Sequence, residues 1–179
     1  MIKTIQLSKC KDKKNVIDIS VKNNPEHVLA PTWDIVKDFK NNKISWKKYK
    51  KKYIKLLDKK YITRKDEFIE LIKLGKKKVI YLACFCKDPK ICHRTLAKAY
   101  LIEKKEQLNT LSEYAKNVRN GRECKGQQYL LDYLKGKKLT YKQAVLANCY
   151  GCLAFDADGR MSCESIICPL FPFMPWRKR

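Results

Sequence analysis

The sequence predicts an α/β domain, a mainly parallel sheet flanked by helices, followed by a small helical module closed by a four-cysteine metal site. Three observations carry this. Val79-Ile80-Tyr81-Leu82-Ala83 is a short, continuous apolar run rich in β-formers, as a strand buried on both faces requires. Helical patterns lie before and after it, and helix–strand–helix order argues for parallel strands with helices on the sheet faces, a Rossmann-like layout. Beyond residue 106 the strand signals stop, and short helical patterns lead into Cys149-x-x-Cys152 and Cys163-x-x-x-x-Cys168. The expected division is therefore 1–106 for the α/β domain and 107–179 for the helical module.

In chain order, Ile2 to Leu7 is the first expected strand. Val16 to Val21 alternates apolar and polar and is the second, with Asp18 inside it. A mid-strand carboxylate faces either a site or solvent. Thr32 can cap a helix starting at Trp33, with Ile35, Val36 and Phe39 as its apolar stripe. Ser45 caps a longer one, in which Trp46, Tyr49, Tyr53, Leu56 and Leu57 recur at three- and four-residue spacing among lysines. Such a regular stripe reads as core-facing aromatics with a solvated basic face, although interleaved aromatics and lysines can also track a phosphate backbone. Thr63 is placed as the cap of a third helix, Arg64 to Leu74, ended by Gly75.

After the central strand, Asp88-Pro89 breaks the chain, and a helix begins near Cys92 with Leu96, Ala99 and Tyr100 on one face. Glu103 to Gln107 reads as a charged exit. Residues 108–118 and 127–134 follow as helices, closed by Asn120-Gly121 and Gly136. Thr140-Tyr141-Lys142-Gln143 is a capping box that opens the last helix.

Bulk properties narrow the function classes. The chain has 179 residues, enough for one ordinary domain and an appendage, and 45% apolar content supports a core. No run approaches the ~20 apolar residues of a membrane span. The N-terminal MIKTIQLSKCKDKK lacks the apolar centre of a signal peptide. A cytoplasmic protein with no membrane partner is expected. The net charge of +23, from 41 Lys+Arg against 18 Asp+Glu, favours polyanionic partners, nucleic acid or nucleotide first. Most of that charge is lysine, which an A/T-rich genome also produces without selection for binding.

Nine cysteines are many for a reduced compartment. They gather at 84–92 and 149–168, with Cys10 and Cys124 apart. An odd total in tight clusters argues for metal or thiol chemistry over a disulfide framework. Cys149, Cys152, Cys163 and Cys168 form two pairs separated by a short loop, which matches tetrahedral thiolate coordination of a structural zinc. The tail PLFPFMPWRKR cannot build a core, and a metal would supply the missing folding energy. An iron–sulfur cluster is the competing metal reading, because four cysteines can also hold one.

The strand–turn–helix cluster has three readings. Cys92 is a nucleophile or redox thiol, activated by the helix start, His93 and Arg94. Alternatively, Cys84, Cys86, Cys92 and His93 hold a second metal. In the third reading the cysteines are small buried hydrophobes.

Residues 1 to 105 resemble the domain-of-unknown-function 488 family, in the variety common in bacteriophages. The matching pieces are TIQLSK, IDISV with Asp18, APTW at Ala30–Trp33, ISWKKYKKKY and above all LACFCKDPKICHRTLAKAYL. The resemblance implies a compact α/β domain with Cys92, His93 and Arg94 at its site. Its phage setting implies nucleic-acid or nucleotide metabolism, including DNA base modification. Residues 140 to 173 are similar to a separate small phage module with two cysteine pairs. That module ends in aromatic–Arg–Gly, where this chain has Phe173-Met174-Pro175-Trp176-Arg177.

The expected function is an enzyme acting on a nucleic-acid base, nucleotide or related small molecule. Cys92 would be the reactive thiol, His93 would move a proton, Arg94 would hold a phosphate or carboxylate, and Asp18 would orient His93 or bind substrate. Cys84, Cys86, Thr32 and Trp33 are the expected substrate contacts. The alternative is a non-catalytic nucleic-acid-binding or host-interaction protein, including a defence antagonist that sequesters a nucleotide.

Overall fold

The computed structural model describes residues 1–157 and 167–170. The chain forms two compact units, Met1–Glu106 and Gln107–Arg179.

The first unit holds a small parallel sheet with flanking helices. Its strands are β1 (Ile2–Gln6), β2 (Val16–Asp18) and β3 (Ile80–Cys84), in the order β1-β3-β2. The register pairs Ile2 with Ile80 and Gln6 with Cys84 on one side of β3, and Val16 with Tyr81 and Asp18 with Ala83 on the other. Central parallel strands are covered on both faces. Accordingly Ile80, Leu82, Ala83 and Cys84 are all buried.

The crossover from β2 to β3 contains α1 (Trp33–Lys40), α2 (Trp46–Thr63) and α3 (Lys65–Lys77). Ser45 caps α2, its hydroxyl accepting from the Lys48 N–H at 3.3 Å. Tyr49, Tyr53 and Leu57 fall on one face of α2 and are buried. The Tyr53 hydroxyl donates to the Leu29 carbonyl, which pins the loop before α1 to the core. Lys60 reinforces that contact by donating to the carbonyls of His27 and Ala30 at 3.1 and 2.9 Å.

Several boundaries differ from the sequence reading, each for a local reason. β2 stops at Asp18, because the Asp18 carboxylate accepts from the Ser20 N–H and turns the chain. Thr32 occupies the N-cap position of α1 without a side-chain capping bond. Thr63 ends α2 instead of capping α3, its hydroxyl donating back to the carbonyls of Lys59 and Lys60. Gly75 does not end α3. It lies within the helix where a Cβ would come 2.8 Å from Ile2 Cγ1, so its role is close approach to β1.

α4 (His93–Asn120) is a single helix. Glu103 to Gln107 are helical residues, since charge without Gly or Pro does not stop a helix. Its first turns bury His93, Arg94, Ala97, Tyr100 and Leu101, while Ala99 is exposed.

The second unit contains the end of α4, α5 (Lys125–Leu134) and α6 (Tyr141–Cys152). Val118, Leu130, Ala147 and Tyr150 form its core, with Phe155 packed against them. The buried Gln127 donates its Nε2–H groups to the carbonyls of Val118, Arg119 and Gly121, and so satisfies helix-end acceptors of α4. The capping box at Thr140 and Gln143 is present at the start of α6. Cys149 and Cys152 lie in the last turn of α6, with Cys149 packed against Val145 and Leu170. Cys163, the third expected ligand of the four-cysteine site, lies outside the described residues, as do Asp158, Gly159 and the tail after Leu170.

Candidate active site and metal centre

The site forms beyond the carboxyl ends of β2 and β3, where open parallel sheets bind ligands. Cys84 is the last residue of β3, and Phe85 and Cys86 turn outward from it. The loop is folded locally: the Asp88 carboxylate accepts from the Lys90 N–H at 2.8 Å, and the Thr95 hydroxyl donates to the Pro89 carbonyl at 2.7 Å. This brings Cys92 and His93, at the start of α4, back onto Cys84.

Cys84, Cys86, Cys92 and His93 each aim one ligand atom into a common space, and these atoms all lie within 4.8 Å of one another. Cys84 Sγ is 3.4 Å from Cys86 Sγ and 3.8 Å from His93 Nδ1. The other ring nitrogen, Nε2, lies 3.1 Å from the Ile19 carbonyl. A carbonyl only accepts, so Nε2 carries the hydrogen and Nδ1 presents its lone pair to the sulfurs. A zinc–sulfur distance near 2.3 Å requires tetrahedral edges of about 3.8 Å. The cluster matches that size, and a backbone carbonyl fixing the imidazole is the usual outer support of a metal-binding histidine. These four side chains can hold a metal ion.

The electrostatics divide the sulfurs. Cys86 is held well below the usual thiol range because its sulfur accepts from the thiols of Cys84 and Cys92, with Arg94 adding positive field. Donation to Cys86 is the leading cause raising Cys84. Cys92 is pushed up strongly, first by its hydrogen bond to Cys84 and then by that to Cys86. Burial lowers the pKa of His93 and favours the neutral ring.

Arg94 is buried. Its Nη1 donates to the carbonyls of Ile5, Cys84 and Cys86, at 3.2, 3.3 and 2.8 Å. It clamps the end of β1 to the Cys-x-Cys turn, and its Nε is buried with no hydrogen-bond partner among the described residues. Asp18 is likewise committed: one oxygen accepts from the Ser20 N–H and the other from Asn23 Nδ2, both at 2.8 Å. The group that orients His93 is the carbonyl of Ile19, the residue after Asp18.

The cluster lies on the wall of a cavity of about 380 Å³. Trp33 and Phe39 of α1, Trp46 and Tyr49 of α2, and Phe85 supply an aromatic lining, with Lys22 and Lys40 also on the wall and no acidic side chain among the lining residues. The rings touch in series. Phe39 and Trp46 have centroids 5.5 Å apart, Trp46 stacks on Tyr49 at 5.1 Å, and Tyr53 meets His93 edge-on at 5.9 Å.

The structure thus brings together Cys84, Cys86, Cys92, His93 and Trp33. Thr32, exposed at the start of α1, is not among the lining residues. Sequence reasoning missed Phe39, Trp46 and Tyr49 as site residues, because their helical spacing marks a buried stripe without saying which part of it faces a cavity.

The Cys92-His93-Arg94 turn, with Cys84-x-Cys86 facing it, sits within the segment a family model recognises. The chain belongs to the DUF488-N3a family. The family model, described as the active DUF488-N3 subclade, matches residues 6–105, nearly all of the first unit. Comparisons with curated proteins and with solved structures give no match. Within this DUF488-N3a segment lie all four members of the cluster and every residue lining the cavity.

Proposed function

We propose that the first unit is an enzyme acting on a nucleic-acid base, nucleotide or related planar small molecule held in the aromatic cavity. One observation carries this: a sulfur–imidazole cluster opens onto an aromatic cavity whose wall holds lysines and no acid. Aromatic walls favour a flat ring, a few convergent polar groups fix its orientation, and lysine favours a phosphate.

The roles follow from exposure. Cys84 and Cys92 are 3% and 2% exposed, whereas Cys86 is only partly buried. Cys86, in place of Cys92, is therefore the sulfur that faces substrate. His93 holds its lone pair toward the sulfurs, and Arg94 is a positioning residue that fixes the backbone of Cys84 and Cys86.

We assign zinc to the Cys84–Cys86–Cys92–His93 cluster, since three thiolates and a neutral imidazole suit it. Zinc would keep the thiolates deprotonated. A second, structural zinc is assigned to Cys149, Cys152, Cys163 and Cys168 from their spacing.

The test is a titration of the protein with nucleobases, nucleosides and nucleotides, followed by tryptophan fluorescence from Trp33 and Trp46, with products read by mass spectrometry. Saturable quenching and a product that disappears in Cys86→Ser are expected. No saturable quenching by any of these compounds would remove the proposal. A non-catalytic reading has its own support, because four ligands fill a tetrahedral shell and closed shells are typically structural. Saturable binding without product in the wild type would favour it.

A further inference from the structure

We infer that the cavity takes its base from a single-stranded polynucleotide, whose neighbouring bases stack on Trp33 and Phe85 outside the cavity. This rests on the proposal that the cavity is a base site, and it names the form in which the base arrives.

Trp33 and Phe85 both line the cavity, yet they are 44% and 48% exposed, so each presents ring surface outward as well as inward. Ile91, also at the cavity, is 46% exposed. Large apolar side chains gathered round one opening mark a binding surface. Each exposed ring is attended by a cation. Lys22 Nζ lies 5.5 Å from the centroid of Phe85, and Lys37 Nζ lies 6.0 Å from that of Trp33.

Alternating rings and lysines match a single strand, whose bases stack while its phosphates seek positive charge. The positive surface also continues beyond the rim. α2 starts on the cavity wall at Trp46 and carries exposed Lys47 and Lys50 onward.

A free nucleotide leaves the outer rings unused. A cavity of about 380 Å³ is at the small end of ligand pockets, room for one base and its sugar. A duplex does not satisfy the site either, because a stacked base cannot reach the sulfurs without leaving the helix.

The experiment is fluorescence anisotropy with labelled decamers (dT)10, (dC)10 and (dA)10 and their ribose counterparts. A hairpin duplex serves as comparison, and the matching mononucleotides are titrated as competitors. At least one single-stranded decamer should bind ten or more times tighter than its mononucleotide and than the duplex. Its affinity should fall with salt, the log–log slope being about −0.7 per phosphate neutralised. Trp33→Ala and Phe85→Ala should each weaken the decamer roughly tenfold, and the mononucleotide by less. Both residues are nearly half exposed, so melting temperatures near wild type serve as the folding control.

Decamer and duplex bound alike, with no effect of either ring, would overturn the inference in favour of lysine electrostatics alone. A mononucleotide bound as tightly as its decamer would overturn it while leaving the base site standing. Binding of neither would remove both.

Discussion

The hydrogen bond from His93 Nε2 to the Ile19 carbonyl, 3.1 Å long, decides what the other ring nitrogen can do. With the hydrogen on Nε2, Nδ1 is a lone-pair donor 3.8 Å from Cys84 Sγ. Elemental analysis should therefore find metal at this cluster. His93→Ala and Cys92→Ala should each lose one metal equivalent per chain relative to wild type, and Cys149→Ala should lose a different one. Metal content unchanged in both His93→Ala and Cys92→Ala would rule out a metal at the cluster. Iron in place of zinc would redirect the chemistry toward electron transfer.

Arg94 tests whether the site depends on a backbone clamp. One guanidinium nitrogen reaches three carbonyls, on β1 and on both cysteines of the Cys-x-Cys turn. A lysine is a point charge on a flexible stem and cannot reproduce that planar contact. Buried hydrogen bonds to a charged group contribute about 1.5–3 kcal/mol. Arg94→Lys should thus lower the urea stability of the first unit by roughly 2 kcal/mol and weaken metal retention. Full stability with lost nucleotide affinity would instead show that Arg94 binds substrate.

His27 predicts acid sensitivity away from the cluster. Its Nδ1 accepts from the Leu29 N–H at 3.0 Å, which requires the neutral ring. Burial is the main cause lowering its pKa, and Lys60 and Arg64 beside it act the same way, against weaker opposition from Glu67 and Asp18. Because the folded pKa lies below the unfolded one, the unfolded chain binds the extra proton first. Stability is complete above about pH 6.5 and is lost as pH falls from there toward the folded pKa. Melting temperature against pH should show this decline in wild type, and His27→Gln should flatten it. An equal decline in the variant would place the acid sensitivity elsewhere.

The sequence made β3 and the site loop legible because their signals are local. A continuous apolar run, a proline break and a helix start sit side by side, and they place Cys84, Cys86, Cys92 and His93 within one turn. The parallel sheet followed from the helix–strand–helix order. Next to a catalytic-looking pair, Arg94 reads as an anion ligand; its contacts with the carbonyls of Ile5, Cys84 and Cys86 arise from the tertiary meeting of β1 with the Cys-x-Cys turn, which local spacing does not specify. For Asp18 the strand pattern likewise does not specify that its carboxylate accepts from Ser20 and Asn23, or that the neighbouring Ile19 carbonyl meets His93. The cavity itself was invisible, because Trp33 and Phe39 belong to α1 and Trp46 to α2, and the convergence of the two helices is a tertiary fact. The length of α4 is not legible because the charged stretch Glu103 to Gln107 resembles an exit, yet it holds no Gly or Pro to end the helix.

Gly75 and Ile2 give a prediction whose sign depends on the partner. Gly75 lies inside α3, where alanine is favoured over glycine by about 1 kcal/mol. A methyl group there would sit 2.8 Å from Ile2 Cγ1 and 3.3 Å from its Cδ1. Ile2 cannot easily yield. It is β-branched, lies in β1 and pairs in register with Ile80. Overpacking of this kind costs about 1–3 kcal/mol, which exceeds the gain in helix propensity, so Gly75→Ala should destabilise by roughly 1 kcal/mol. In an Ile2→Ala background the clash is gone and only the propensity remains. There the same substitution should stabilise by about 1 kcal/mol relative to Ile2→Ala alone. Urea denaturation of the four proteins, followed by tryptophan fluorescence, measures the cycle. The same sign in both backgrounds would mean that α3 and β1 are not held together through this contact.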